Sequence, residues 1–369
     1  MILSRINLYN FRNYHKISLQ FGQKMNILIG RNAQGKTNIL EAISILALTK
    51  SHRSGIDANL IKLGEEKAIL KARVKNGKIL NDLEVQLMNG NKKIKVNDDK
   101  VDRLADYISY LNIIIFTPDD LELIKGSPSI RRNFFNIELS QLSKTYLNTY
   151  NEYNKILKTR NEYLKLLFTS HIADKNYLDI LTDKLIEKAI IIYQERKKFV
   201  DAINQNLESI FFDIVGDKGL KMVYEPNIRL NSFDCDFIKS VMLEVYRKNY
   251  LKELNYKMTL YGPHRDDFSL YFQDIDLRNF GSQGQQRLAV LSTKLAEIPI
   301  FEDVCGTKPI LLLDDIFSEL DLGKRKKLLQ YINSDLQSII TTTDLKNIQK
   351  KFLNDANIYV VENGNISRK

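Results

Sequence analysis

Apolar positions in the first fifty residues follow two rhythms. Ile2, Leu8 and Phe11 stand among polar neighbours, as in a half-buried strand, whereas "MNILIG" (residues 25–30) reads as a buried-strand run ending in glycine. "KTNILEAISILAL" then carries apolar residues on most faces, which predicts a deeply packed helix. From residue 67 to 96, short alternating runs are broken by Asn76-Gly77 and Asn89-Gly90. Those dipeptides favour hairpin turns, so an antiparallel patch is expected.

The pattern changes at Ser127. Up to Gly216 glycine is rare, and Pro128 is the last proline before Pro226. Apolar side chains recur at Leu142, Tyr146, Tyr150, Tyr153, Leu157, Leu164 and Leu167, and a second pattern runs through Leu178, Leu181, Leu185, Ala189, Ile192, Arg196 and Val200. These steps predict long helices paired antiparallel, with "TSHIADKN" at the bend and the tyrosine stripe serving as core. After "LYGPHRDD" comes a strand "FSLYFQ". The glycine-containing turn "FGSQGQQ" then opens a helix with Leu288, Leu291, Leu295 and Ile298 on one side. An apolar strand "PILLLDD", a helix from about Leu322 and a strand "QSIITTT" complete the chain. Strand–helix alternation at both ends, interrupted by helices, predicts one α/β domain split by a mostly helical insertion. The expected division is 1–105, 106–256 for the helical arm, and 257–369.

The 369 residues, 44% hydrophobic and 27% charged, suit a globular protein with a sizeable core. The formal charge of +10 points to a polyanionic partner, nucleic acid first and an acidic membrane second. Two cysteines, Cys235 and Cys305, with no CxxC pair exclude a disulfide scaffold and a four-thiolate zinc site. With no signal-peptide core at the start and no run of 18 apolar residues, a cytoplasmic location is expected. His15, His52, His171 and His264 are scattered, so Mg²⁺ with a nucleotide is the one metal anticipated.

The chemistry centres on "GRNAQGKT": Gly30, Arg31, Asn32, Ala33, Gln34, Gly35, Lys36 and Thr37 match G-x-x-x-x-G-K-[ST] after a strand and at a helix start. There the backbone amides converge on phosphate oxygens, Lys36 reaches the β and γ phosphates, and Thr37 takes Mg²⁺. "PILLLDD" supplies the acid such a loop requires. Asp314 is placed to hold Mg²⁺, directly or from behind its ligands, and Asp315 to polarise an attacking water. Ser282, Gln283, Gly284 and Gln285 form a second amide-presenting helix start, although the first loop already wraps most of one triphosphate. One economical arrangement has this turn cap the γ-phosphate bound by a second copy of the chain, with two ATP molecules sandwiched head to tail.

That arrangement resembles the ABC-type ATPases. "SQGQQ" is similar to their signature, "DDIFSELD" to Walker B running into the D-loop with Asp321 as the D-loop residue, and "TTT" (residues 341–343) stands where transporter ATPases carry a histidine. Together with "NFRNY", "KSHR", "FTPDDLELIKGSPSIRR" and "GPHRDD", the chain resembles the RecF family, an ABC-type head related to SMC ATPases but without long coiled coils.

The resemblance implies a P-loop ATPase head with an inserted helical lid. It also implies ATP-dependent DNA binding (gapped, duplex or single-stranded), an ATP-dependent homodimer, slow hydrolysis, and work with RecR and RecO to place RecA at single-strand gaps. Lys36, Asp314 and Asp315 take the catalytic roles, Thr37 and Asp314 the Mg²⁺ role, and Ser282 to Gln285 the trans-acting signature role. The sequence departs from the family pattern at "RRNFFN" (Asn133 and Asn136). It also has no glutamine in "IIIFTPDDLEL", where Asp119 or Asp120 stands in its place. The missing histidine fits slow turnover. Candidate DNA contacts are Lys50, His52, Arg53, Arg131, Arg132, Lys92, Lys93 and Lys95, cations suited to phosphates without reading sequence. "KRKK" (residues 324–327) reads equally as an exposed helix face, and His264 with Arg265 as a turn or as part of an interdomain or nucleotide-linked network.

Overall fold

Both apolar rhythms become sheets in the computed structural model, which describes residues 1–169, 174–332, 336–346 and 348–369. The chain divides into two compact units. One comprises residues 1–120, 209–217 and 290–369, the other residues 121–208 and 218–289.

In the first unit, alternation yields an antiparallel sheet ordered β2-β1-β4-β5-β6-β7. Its strands are β1 (Ile2–Phe11), β2 (Tyr14–Gln20), β4 (Lys67–Asn76), β5 (Ile79–Met88), β6 (Asn91–Val96) and β7 (Asp99–Lys100). The two glycines of the expected turns, Gly77 and Gly90, take φ of 58° and 77°, which a side chain would resist. The buried-strand runs, among them "MNILI" and "ILLL", belong to a second sheet, β15-β14-β3-β13-β12-β8. It contains β3 (Met25–Ile29), β8 (Ile113–Phe116), β12 (Ile310–Leu313), β13 (Ser338–Thr342), β14 (Asn357–Glu362) and β15 (Asn365–Arg368). All its pairs are parallel except β14 with β15. Helix α1 (Lys36–Leu48) is apolar on most faces because its side chains pack with both sheets. Ile39, Leu40 and Ile43 share one buried cluster with Leu3 and Leu8 of β1, Leu28 of β3 and Leu312 of β12. α9 (Glu297–Cys305), α10 (Leu322–Ile332) and α11 (Lys350–Leu353) complete this unit.

The second unit holds α2 (Glu122–Lys125), α3 (Pro128–Leu142), α4 (Lys144–Thr169), most of α5 (Lys175–Val215), α6 (Cys235–Tyr256) and α7 (Leu277–Phe280). A small sheet of β9 (Leu220–Glu225), β10 (Asp267–Phe272) and β11 (Ile275–Asp276) joins them. α4 and α5 run antiparallel, as Glu152–Lys188 (2.6 Å), Arg160–Thr182 (3.0 Å) and the Tyr163–Tyr177 ring pair show. The centre of the expected bend, residues 170–173 with His171, lies outside the described residues. Tyr146 and Tyr153 are fully buried, as expected of core. Three buried arginines pin this unit. Arg160 binds Glu253 at 2.7 Å, Arg196 binds Asp266 at 2.9 Å, and Arg131 grips Asp267.

The unit boundaries differ from those expected at 105 and 256. β8 belongs to the parallel sheet through its pairing with β12, so residues 106–120 stay with the first unit. Residues 257–289 join the helical unit, where β10 pairs in register with β9. Helix α8 (Gln283–Leu295) begins in the second unit and ends in the first.

Candidate nucleotide-binding site

In a parallel sheet every strand points its carboxyl end to the same edge, where loops can converge. The adjacent strands β3, β13 and β12 bring the glycine-rich loop, Thr341 and Asp314 together in this way. Gly30 leaves β3 so close to the neighbouring backbone that a Cβ would lie 2.3 Å from the Val361 carbonyl oxygen. Ala33 and Gly35 take φ of 62° and 109°, turning the loop so that α1 begins at Lys36. A Cβ on Gly35 would also meet Asn13 and Tyr14 at 2.7 Å. Those two residues brace the loop from behind. Asn13 Nδ2 donates to the Gln34 carbonyl at 3.2 Å and the Tyr14 hydroxyl to the Gly35 carbonyl at 3.0 Å. The Asn363 amide donates to Gln34 Oε1 at 2.6 Å. Arg31, Asn32 and Ala33, at the crest, are exposed.

Lys36 Nζ donates to the loop carbonyls of Gly30 (2.6 Å) and Arg31 (2.9 Å). Burial lowers its pKa, and the carboxylates of Asp315 and Asp314 oppose that shift. Asp314, 8% exposed, accepts from two hydroxyls at one oxygen, Thr37 Oγ1 at 3.0 Å and Thr341 Oγ1 at 2.6 Å. Thr341 Oγ1 accepts in turn from the Asp315 amide at 2.9 Å, so one hydroxyl ties both acids to β13. Asp315 sits at φ 48°, its Oδ2 receiving the Ser318 hydroxyl at 3.2 Å. Burial raises its pKa, against the Ser318 hydrogen bond and Lys36. Asp321 caps α10, its Oδ1 accepting from the Lys324 amide at 2.9 Å.

Thr37 and Asp314 offer hard oxygen donors 3.0 Å apart, the set Mg²⁺ prefers when most of its remaining shell is phosphate and water. Among the described residues no group of three or more His, Cys, Asp or Glu side chains is arranged to hold a metal by itself.

The signature turn is a reciprocal capping box. The Ser282 amide donates to Gln285 Oε1 at 2.9 Å, and the Gln285 amide to Ser282 Oγ at 3.3 Å. The Gln286 amide returns to the Ser282 carbonyl at 2.9 Å, and its side chain donates to the Leu277 carbonyl at 2.7 Å. The amides of Gln283 and Gly284 and the Ser282 hydroxyl proton are left for an acceptor outside the helix. All four turn residues are exposed. Gly284 does not take a positive φ, and a methyl group placed on it would meet nothing within 4 Å, so its lack of a side chain serves nothing within the chain.

The proposed DNA cations separate into two classes. Arg131 is not a surface residue: it is 1% exposed, its Nε and Nη2 grip Asp267, and its Nη1 reaches the Gly126 carbonyl at 2.7 Å. The sequence marks it as basic but not as the partner of an acid 136 positions away. Lys92 is likewise committed, to Asp57 and the Thr49 carbonyl. Arg132 donates to the Asp266 carbonyl at 3.0 Å. Lys50, His52, Arg53 and Lys93 are exposed, and Lys95 is partly so. Arg53 is steered by Asn38 (3.1 Å) and by Glu41 (3.7 Å). Glu41 is a fully buried carboxylate that Arg12 and Ser51 also hold, at 2.7 and 2.6 Å. His264 belongs to a network within the second unit. Its Nε2 donates to the Thr259 carbonyl, Nδ1 accepts from the Tyr153 hydroxyl, and burial lowers its pKa to about 4. Asp120 has its carboxylate occupied by the Thr117 amide and by Lys294, while Asp119 is exposed.

Sequence reasoning quoted "NFRNY" and "TTT" only as parts of the resemblance and missed the supporting roles of Arg12, Asn13, Tyr14, Glu41 and the Thr341 hydroxyl. In the structure two residues of "NFRNY", Asn10 and Arg12, take positive φ.

The model of the RecF/RecN/SMC N terminal domain family matches residues 2–367. The chain is 40% identical over 370 residues to the DNA replication and repair protein RecF of Listeria welshimeri, covering 100% of both. It is also 40% identical over 373 residues to that of Halalkalibacterium halodurans, again covering 100% of both. Among solved structures it is similar to the recombination mediator protein RecF-ATPrS of the RecFOR pathway. That match has a TM-score of 0.90 and 31% identity, and covers 100% of this chain and 98% of the other. An Smc head bound to the C-winged helix domain of ScpA, at TM-score 0.58 and 16% identity, shares the fold. With a family model that matches residues 2–367 and relatives 40% identical over the whole of both chains, the chain belongs to the RecF family.

Proposed function

We propose that the chain is an ATP-binding protein of DNA replication and recombinational repair whose nucleotide acts as a dimerisation switch, with slow hydrolysis resetting it. The observation that carries this reading is the signature turn. It is a finished anion-binding helix start, with open space over Gly284, in a chain that has a complete loop of its own at residues 30–37. The relatives support it: solved structures described as RecF-ATP and RecF-ATPrS in the RecFOR pathway match this chain over its full length. Two other readings of such an ATPase head, the cytoplasmic ATPase subunit of an ABC transporter and a short SMC-like chromosome-structuring head, are not favoured by those matches.

On this reading Lys36 leaves the carbonyls of Gly30 and Arg31 for the β and γ phosphates, while the amides of residues 32–37 cradle them. Thr37 and Asp314 would hold Mg²⁺, which neutralises charge between the phosphates. Asp315 orients water, Thr341 keeps both acids in register, and the partner copy's turn supplies neutral donors to the γ-phosphate. DNA at gaps, RecR and RecO are the expected partners, with Lys50, His52, Arg53, Lys93 and Lys95 as the available cations. Dimerisation is tested by sedimentation. Wild type should associate with ATP and not with ADP, and Lys36→Met should remain monomeric. ATP-induced dimers of Lys36→Met at wild-type levels would sink the reading. Binding to gapped, duplex and single-stranded DNA at one salt concentration, with and without RecR, tests the rest.

A further inference from the structure

The chain first leaves the first unit after Asp120, returns to it briefly at residues 209–217, and re-enters it for the last time at Val290, inside α8. One helical turn past that re-entry, Lys294 reaches back to the exit. Its ammonium donates to Asp120 Oδ1 at 2.8 Å and to the Ile115 carbonyl at the end of β8. The side chains are 7% and 16% exposed. The other oxygen of Asp120 accepts from the Thr117 amide at 2.6 Å, fixing the turn in which the chain departs. Thr117 follows Phe116, whose carbonyl accepts from the Asp314 amide at 2.9 Å. Hydrogen bonds thus run from the metal-side acid through the end of β8 to Asp120, to Lys294, and into the helix that opens with Gln283.

A buried ion pair is poor evidence of stability, because the cost of desolvating both charges offsets their attraction; its better-attested use is to specify one geometry. We propose that Lys294 and Asp120 form a hinge clamp, a positioning pair that couples occupancy of the nucleotide site to presentation of the signature turn. The clamp fixes together the first exit of the chain from the first unit and its last re-entry, so a shift at Asp314 is passed to α8 rather than absorbed in a loop. This inference rests on the ATP-dimer reading above.

The test compares Lys294→Met, Asp120→Asn and the double variant with wild type. Methionine preserves the apolar stem without the charge. Lys294→Met should bind a fluorescent ATP analogue within about twofold of wild type but associate roughly tenfold more weakly at saturating ATP. Adding Asp120→Asn to it should change association less than twofold, because the pair acts as a unit. In the wild-type protein, ATP should slow amide exchange together in residues 116–121 and 283–295. Unchanged association of Lys294→Met, a parallel loss of ATP affinity, or protection of only one segment would overturn the clamp. Wild type that fails to associate with ATP would overturn the functional reading along with it.

Discussion

Replacing Thr341 with valine keeps the shape of a fully buried side chain and removes its hydroxyl. Two bonds go with it. The donor bond to the Asp314 carboxylate, at 2.6 Å, is charge-assisted and contributes about 1.5–3 kcal/mol. The Asp315 amide, now without its acceptor at 2.9 Å, adds a desolvation cost of about 1–3 kcal/mol. The two share one oxygen and do not add fully, so a local loss of roughly 3 kcal/mol is expected. Exchange of the Asp315 amide, followed by mass spectrometry on peptides spanning it, should accelerate by more than about a hundredfold, at 1.4 kcal/mol per factor of ten. Mg²⁺-ATP affinity should fall with it, because Asp314 loses one of the two hydroxyls that orient it. Thr341→Ser retains the hydroxyl and should stay within a few-fold of wild type on both measurements. If valine exchanges and binds like wild type, Thr341 is packing and not a support for the acid pair.

Gly35→Ala should lose ATP binding, since its φ of 109° and the 2.7 Å approach to Asn13 and Tyr14 leave no place for a methyl group. Gly284→Ala should keep the melting temperature and monomer ATP affinity, yet weaken ATP-dependent association at least about tenfold; unaffected association would remove the turn from the interface. His264 carries a folded pKa near 4 against an unfolded value of 6.5. The unfolded chain therefore gains its proton first on acidification, and stability present above pH 6.5 is lost as pH falls toward 4. The separation corresponds to about 3 kcal/mol, so the stability of His264→Gln should approach that of wild type as pH is lowered across that window. Parallel melting profiles for the two proteins would refute the assignment.

Local chemistry made much of this protein legible in its sequence. The P-loop residues are neighbours in the chain, and Asp314 follows an apolar run, so each is marked by its own surroundings. The long helices declare themselves through spacing, and the hairpins through glycine. What stayed hidden depends on contacts remote in sequence. Arg131 is as basic as Lys93 on paper, and only Asp267, brought beside it by β10, makes it a core residue. Thr341 reads as an absence, a position without histidine, until the strand order places it between β3 and β12. The boundary expected at 105 falls elsewhere because β8 is only four residues long, and its parallel partner lies almost two hundred positions away.

The capping box has a consequence for how two copies meet. With its lone pair engaged by Gln285, the Ser282 hydroxyl has a proton to give, and no residue from Ser282 to Gln285 carries charge. Each chain bears a formal +10, so copies approaching without nucleotide repel one another at long range, and a neutral turn does nothing to offset that. On the proposed reading, the bound triphosphate would be the missing counter-charge, and the turn would recognise it by hydrogen bonds alone. Association would then be set by the charge state of a small molecule, and would end when that charge departs.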